Sequence, residues 1–489
     1  MQNNVQSYGF FCIFARKNVT LWKIFDIMKR FWYFLACVLL CLSVEAQVKY
    51  IFYFIGDGMG ANQVLMSEMY LADLEGKLGR NQLFMTHMPV AGMCATHSAS
   101  DPITDSSAAG TTLATGEKTV NGRLGIGVKG DTLTTIAEEL KREGWHVGVI
   151  TTVAIDHATP AAFYAKSKSR NDYYDIGKQL VASDFDLFGG AGFHQPQPSK
   201  KDANLYDLAE KAGYAIAGGI QEAEMKRKTS QKLIVLQASD AADRKKECGN
   251  FPYAIDRKPE DMTLKELTAF SISYLHDMGG AFFLMVEGGM VDYAGHGRDG
   301  AAAIGETIDF DAAIGVAMDF YDKYPDETLI LVTADHETGG MTPGNGGHHL
   351  DLQILRNQHC SGWVLSDALS AMYKDDKVPG WEQVKALLGE KLGFYREVAI
   401  TDEEDAELQA AYHRTYEEKG SEVKTLYKDI NQLSNTAIAI LNKKAHVGWT
   451  SYSHTASPVP IFAIGRGAER FSGWHDNTEL APLLLKMAK

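Results

Sequence analysis

Seven apolar runs punctuate the chain, at residues 50–55, 146–153, 185–188, 233–236, 282–286, 328–333 and 459–464. Each is continuous rather than alternating, as strands covered on both faces must be, and the pattern predicts buried parallel strands. Helical spacing fills the gaps between them. One helix is predicted over about 264–277, opened by Thr263 and Glu266 at capping-box separation. Another is predicted over about 303–321. Strand–helix alternation of this kind predicts an α/β fold: a doubly wound, mostly parallel central sheet with helices on both faces.

The rhythm breaks over 341–445, which opens with "MTPGNGGHH" and contains the charged helical piece "TDEEDAELQAAYHRTYEEKG". This stretch reads as an inserted helical and loop subdomain over one end of the sheet, either a lid or a plain subdomain with no part in the chemistry. The core then comprises 47–340 and 446–489. Residues 1–46 read as an upstream extension and an export signal. The signal starts at Met28 with Lys29 and Arg30, runs apolar from 31 to 44, and ends at the small-residue site before Gln47. Residues 1–27 look like an upstream start miscall. The apolar run is too short to span a bilayer comfortably, so a cleaved signal with no stable membrane span afterwards is expected, a short membrane anchor being the alternative. The expected location is periplasmic or extracellular. Cleavage leaves Cys94, Cys248 and Cys360, enough for at most one internal bridge.

Charge narrows the function. The chain has 48 basic and 62 acidic residues, a net charge of −14, and no basic stripe in its body. Nucleic acid is therefore excluded as a partner. An acidic protein that handles anions must gather positive charge locally, through arginine or metal ions.

In open α/β sheets, ligands sit beyond the carboxyl ends of the strands. The first run ends in "GDGMGA", which has the spacing of a dinucleotide cradle, but Asp57 at its centre would repel a pyrophosphate. The other ends carry His157 and Thr159, then Glu287, Asp292 and His296, then Asp335 and His336; His454 precedes the last run. Like charges a few ångströms apart resist joint ionisation, and divalent metals resolve that conflict. Mixed aspartate and histidine sets suit zinc, whereas Asp, Glu and Thr oxygens suit magnesium. Asp292 and His296 stand one helical turn apart, although Gly295 weakens a helix there. "TDSSAAGTTLATG" puts Ser106 before a small-residue helix, either as a simple N-cap or as a nucleophile awaiting activation. Thr159 followed by Pro160 reads as an N-cap with an N1 proline. Arg170 is a candidate bidentate phosphate clamp.

Taken together, "IGDGMG", "TDSSA", "HATPAAFYAKSKSR", "VEGGMVDYAGH", "IGETIDFDAAI", "VTADH" and "HTASPVP" give the chain a resemblance to the alkaline phosphatase family. The resemblance covers roughly 48–340 and 446–486. It implies a site with two zinc ions and one magnesium ion. Asp57 would bridge a zinc and the magnesium, Asp335 and His336 would complete the zinc beside Ser106, and Asp292, His296 and His454 would hold the other. Glu287 and Thr159 would join Asp57 on magnesium, with His157 at a position that varies in the family. Ser106 would be the nucleophile and Arg170 the phosphate clamp. Tyr293 stands at a substrate-facing position where a lysine or histidine is frequent. Dimers are common in the family, so the resemblance also implies a homodimer.

The expected activity is hydrolysis of small-molecule phosphomonoesters by two in-line displacements through a phosphoserine. A phosphodiesterase or sulfatase of the same superfamily is the rival enzyme reading; no C-x-P-x-R stretch supports a sulfatase, and Glu287 with Thr159 argues against a diesterase. A non-enzymatic metal- or phosphate-binding protein is the remaining alternative.

Overall fold

The computed structural model describes residues 28–30, 32, 48–374, 377–418 and 420–489. All but four residues of the predicted export signal at 28–46 therefore lie outside the described residues.

Ten strands form one sheet. They are β1 (Tyr50–Ile55), β2 (Val90–Ala95), β3 (His146–Thr151), β4 (Leu187–Gly190), β5 (Ala215–Gly218), β6 (Leu233–Leu236), β7 (Phe282–Glu287), β8 (Thr328–Thr333), β9 (Val459–Gly465) and β10 (Gly473–Asp476). Their spatial order is β10-β2-β9-β8-β1-β7-β3-β4-β6-β5. The helices that matter most for the site are α1 (Ala61–Leu74), α2 (Ser106–Thr115), α3 (Ala158–Ala161), α4 (Leu264–Asp277), α5 (Met290–His296) and α6 (Gly300–Tyr321). Every residue of β1, β7 and β8 is buried. Successive strand residues face opposite sides, so full burial means that both faces of the central sheet are covered. Thr263 and Glu266 form the predicted capping box at the start of α4.

The sheet corrects the sequence expectation in three places. The run at 459–464 is not parallel: β9 pairs antiparallel with both β8 and β2, and it alone is reversed among the ten. Strands β2, β5 and β10 carried no strand signal, because they are short and rich in small or polar residues. The strand expected at 185–188 sits two residues later and runs into Gly189 and Gly190. Close packing explains those glycines: a Cβ on Gly189 would lie 2.8 Å from Leu267 Cδ1, and one on Gly190 2.8 Å from the Val153 carbonyl.

Within 341–445 the chain forms α7 (Gly362–Ala371), α8 (Trp381–Leu392), α9 (Asp402–Glu417) and α10 (Gln432–Lys444). A small antiparallel hairpin pairs Val423–Lys424 with Asp429–Ile430. Leu365, Leu388, Leu408 and Leu433 pack into an apolar cluster that also takes in Met66 of α1 and Ile304 of α6. Among the described residues, no helix is long and apolar enough to cross a membrane. Cys94, Cys248 and Cys360 are all free thiols.

Candidate active site

Strand β1 lies between β7 and β8, with Ile55 level with both Glu287 and Thr333. Glu287 is the last residue of β7, Asp57 follows β1 by two residues, and Asp335 follows β8 by two. The sheet therefore delivers three carboxylates to one edge, and all three are fully buried. The glycine-rich loop after β1 serves close approach. Gly58 has φ +72°, and its N–H donates to Asp335 Oδ1 at 3.2 Å. A Cβ at Gly58 would lie 2.8 Å from Asp292 Cα, so only glycine fits.

The reversed strand explains how His454 joins them. Because β9 runs against β8, its N-terminal end lies at the edge where β1, β7 and β8 finish. His454, just before β9, pairs with Thr338 in a short antiparallel ladder at that edge. Helix α5 forms despite Gly295 and is buried throughout; it carries Asp292 and His296.

Two imidazoles meet there through their Nε2 atoms. His296 Nδ1 donates to the Tyr452 carbonyl at 2.6 Å, and His454 Nδ1 donates to the Thr104 carbonyl at 2.8 Å. With Nδ1 carrying the N–H in each ring, both Nε2 atoms are left as lone-pair acceptors when the rings are neutral. They face each other at 3.1 Å. Asp292 Oδ1 lies 3.4 Å from one and 3.6 Å from the other. Three acceptors this close could hold a cation, and carbonyls behind the rings are the partners expected of metal-binding histidines.

The carboxylates at the strand ends tell the same story. Burial, followed by repulsion from Asp335, Asp292 and Glu287, raises the pKa of Asp57 well above its ordinary value. Burial pushes Glu287 up to about 8 and Asp335 up to about 7. Asp57 Oδ1, Glu287 Oε1 and Asp335 Oδ2 are buried without a hydrogen-bond partner. His336, 3.2 Å from Asp335 and 3.4 Å from Asp57, is held well below the usual imidazole range by burial. His157 is pushed down to about 3 by burial and by Arg170, and its Nδ1 is likewise unpartnered. Three residue sets present ligand atoms within 4.8 Å of one another: Asp292, His296 and His454; Asp57, His157 and Glu287; and Asp57, Asp292 and His336. Orphaned oxygens and paired imidazole nitrogens fit divalent cations.

Ser106 is not the N-cap. Asp105 caps α2 by accepting from Ala108 N, which leaves Ser106 as the first helical residue with a hydroxyl not used in capping. Its Oγ lies 3.2 Å from His336 Nε2, at the positive end of the helix. Asp105 also accepts from Arg170 Nη1 at 3.3 Å, so one carboxylate fixes both the start of the helix that carries Ser106 and the guanidinium. Arg170 Nη2 reaches His157 Nε2 at 3.1 Å. Thr159 is not an N-cap either, because α3 begins one residue earlier with His157 as its cap. Its hydroxyl instead donates to Asp57 Oδ2 at 3.2 Å. Pro160 still falls in the first helical turn, where its missing N–H costs nothing.

A cavity of about 800 Å³ opens beside this cluster and is lined by Asp105, Arg170, His157, Tyr293, His296 and His454, among others. The structure thus gathers every residue singled out from the sequence at one edge of the sheet. One participant escaped that reading. Tyr427, on the hairpin within 341–445, donates to Asp292 Oδ2 at 2.8 Å and stacks on Tyr293 with ring centroids 3.5 Å apart. Its local sequence, "KTLYKD", carries no signal for that role.

The chain is similar to known proteins over most of its length. The family model described as "Alkaline phosphatase" matches residues 48–489. Alkaline phosphatase 4 of Bacillus subtilis (strain 168) is 32% identical over 460 residues, covering 91% of this chain and 90% of that protein. The repressible alkaline phosphatase of Saccharomyces cerevisiae is 26% identical, with 90% of this chain and 81% of that protein covered. Among solved structures, the cold-active alkaline phosphatase from the psychrophile Shewanella sp. superposes with a TM-score of 0.75 at 28% identity, over 90% of this chain and 99% of that one.

Proposed function

The chain belongs to the alkaline phosphatase family, and on that premise we propose that it is an exported, metal-dependent phosphomonoester hydrolase acting through a phosphoserine on Ser106. One observation carries the reading: the Ser106 hydroxyl lies 3.2 Å from His336 Nε2, inside a buried set of acids and imidazoles in which Asp57, Glu287 and Asp335 each keep one oxygen without a hydrogen-bond partner. Export rests on the basic, apolar and small-residue sequence of 28–46.

Asp292, His296 and His454 would hold one zinc; Asp57, Asp335 and His336 a second; Asp57, Glu287 and Thr159 a magnesium, with His157 beside it. Divalent ions there would neutralise the clustered carboxylates, lower the pKa of the Ser106 hydroxyl and stabilise the departing alkoxide.

The chain's own groups do the rest. Arg170 binds the non-transferring phosphate oxygens, already aimed by Asp105. Ser106 Oγ, at the N-terminus of α2, forms a bond to phosphorus as the ester P–O bond breaks and the alcohol leaves. Helix dipole and exposed N–H groups favour the anion that results. Water then displaces the serine oxygen, releasing phosphate and restoring the hydroxyl. Tyr293 lines the cavity that would receive the substrate.

The test is hydrolysis of an aryl phosphate by wild type and Ser106→Ala, each with and without chelator. Wild type without chelator should turn over, and the other three should not. Equal rates in all four would refute the reading.

A further inference from the structure

Residues 423–430 form a hairpin whose tip is fastened from several sides. Lys428 N donates to Thr425 Oγ1 at 3.2 Å and closes the turn. Lys428 Nζ sits 2.8 Å and 2.7 Å from the two carboxylate oxygens of Asp367 on α7. Asn431 N donates to Ser366 Oγ at 3.0 Å just beyond the hairpin. This fastening holds Tyr427 against the active site. Its ring lies flat on Tyr293, with an interplanar angle of 2°, and meets His296 edge-on at 5.3 Å.

The hydroxyl makes the consequential contact. A carboxylate has two oxygens and one soft torsion, so a single hydrogen bond leaves its plane free to turn. Asp292 is held at both ends: the Thr338 hydroxyl donates to Oδ1 and the Tyr427 hydroxyl donates to Oδ2. Held this way, Oδ1 is the oxygen that faces His296 at 3.4 Å and His454 at 3.6 Å.

We propose that Tyr427 is a positioning residue that locks the plane of Asp292 and thereby sets how tightly the Asp292–His296–His454 cluster retains its cation. Residues 341–445 are then part of the metal-retaining unit and not an appendage to it. The inference rests on reading that cluster as a cation site. Removing a hydrogen-bond partner from behind a metal ligand costs about 10–100-fold in affinity.

Tyr427→Phe removes the hydroxyl and keeps the stacked ring. Full-length wild type and variant are loaded with zinc and challenged with excess chelator, zinc release is followed with a chromogenic indicator, and the metal-free proteins are melted in parallel. The variant should lose one zinc equivalent about tenfold faster than wild type. The second equivalent should leave at the wild-type rate, and the metal-free melting temperatures should match. Identical release from both proteins overturns the role of Tyr427 alone. So does faster release of both equivalents with a lower metal-free melting temperature, since that is a loss of packing. Wild type that takes up no zinc removes the cation-site reading, and this role with it.

Discussion

The carboxyl edge of the sheet and helix α6 both bury acids, and burial raises the pKa of acids in both. At the edge, Glu287 rises to about 8 and Asp335 to about 7. On α6, Glu306 rises to about 8 and Asp311 to about 6. The shifts are alike, but the oxygens are not. Asp311 accepts from Phe84 N at 2.8 Å and from Met85 N at 2.9 Å, and Glu306 accepts from Ala254 N at 2.5 Å. Asp57, Glu287 and Asp335 each keep one buried oxygen that nothing in the protein satisfies. A raised pKa reports desolvation wherever it occurs. Single buried oxygens without a partner occur elsewhere, as at Thr268 and Gln358, but three on neighbouring carboxylates fit a partner that is not part of the polypeptide. The second signal distinguishes chemistry from architecture here, and the first does not.

Amide substitution tests that distinction most severely. Asp57→Asn should lower kcat/KM for an aryl phosphate on the order of 10³-fold, because it removes a charge aimed at the reacting centre. Glu306→Gln, made in an acid with a similarly raised pKa, should leave kcat/KM within about twofold of wild type. Steady-state kinetics with zinc and magnesium in excess measures both. Comparable losses in the two variants would erase the contrast between edge and helix.

The arginines allow a smaller version of the same test. Arg257 is spent on Asp309 of α6, with Nη1 and Nη2 at 2.7 Å and 2.9 Å from the two carboxylate oxygens. Arg170 gives Asp105 a single longer bond at 3.3 Å and faces the cavity. Arg170→Ala should cost about 10–100-fold in kcat/KM, the worth of a hydrogen bond or two to a charged phosphate. Arg257→Ala should leave kcat/KM near wild type and lower unfolding stability by ~1–3 kcal/mol in a denaturant titration.

These contrasts also show what the sequence made legible. Asp57, Glu287 and Asp335 could be read directly, since each ends or closely follows an unbroken apolar run and strand ends converge in this class of sheet. The direction of 459–464 could not, because a continuous apolar run looks the same whichever way the strand points. That direction is what carries His454 to the shared edge. Strand β2 was hidden because its residues, "VAGMCA", are small and mostly half-buried. Tyr427 was hidden for a different reason. Its role arises from a hairpin of two-residue strands whose position depends on Asp367 and Ser366, some sixty residues earlier. Periodicity reports local burial; it does not report which distant surface a short turn will reach.

Asp311→Asn probes the architectural acid directly. The carboxylate accepts two backbone N–H groups near the start of the Met85–His87 turn. An amide keeps one acceptor and turns its NH₂ toward the other donor. The expected loss is about 1–2 kcal/mol of stability, read by denaturant titration, with kcat/KM unchanged.

The last expected effect is a slope with pH, with no change in kcat/KM. Burial, reinforced by Asp309, lifts Glu306 from 4.5 to about 8 in the folded protein. Between those values the unfolded chain has released the proton and the native protein still holds it. The native state thus binds more protons, and stability falls as pH rises. Glu306's contribution is fully present below about pH 4.5 and is lost by about pH 8, when the native group also ionises. A glutamine side chain cannot ionise, so Glu306→Gln should gain on wild type steadily from about pH 5 to about pH 8 and then run parallel to it. Unfolding titrations across that range, with metal content held constant, measure the difference. A variant whose stability tracks wild type throughout would mean that Glu306 is ionised in the folded protein, its charge carried by the Ala254 N–H and Arg257. The helix and the catalytic edge would then differ in pKa as well as in hydrogen bonding.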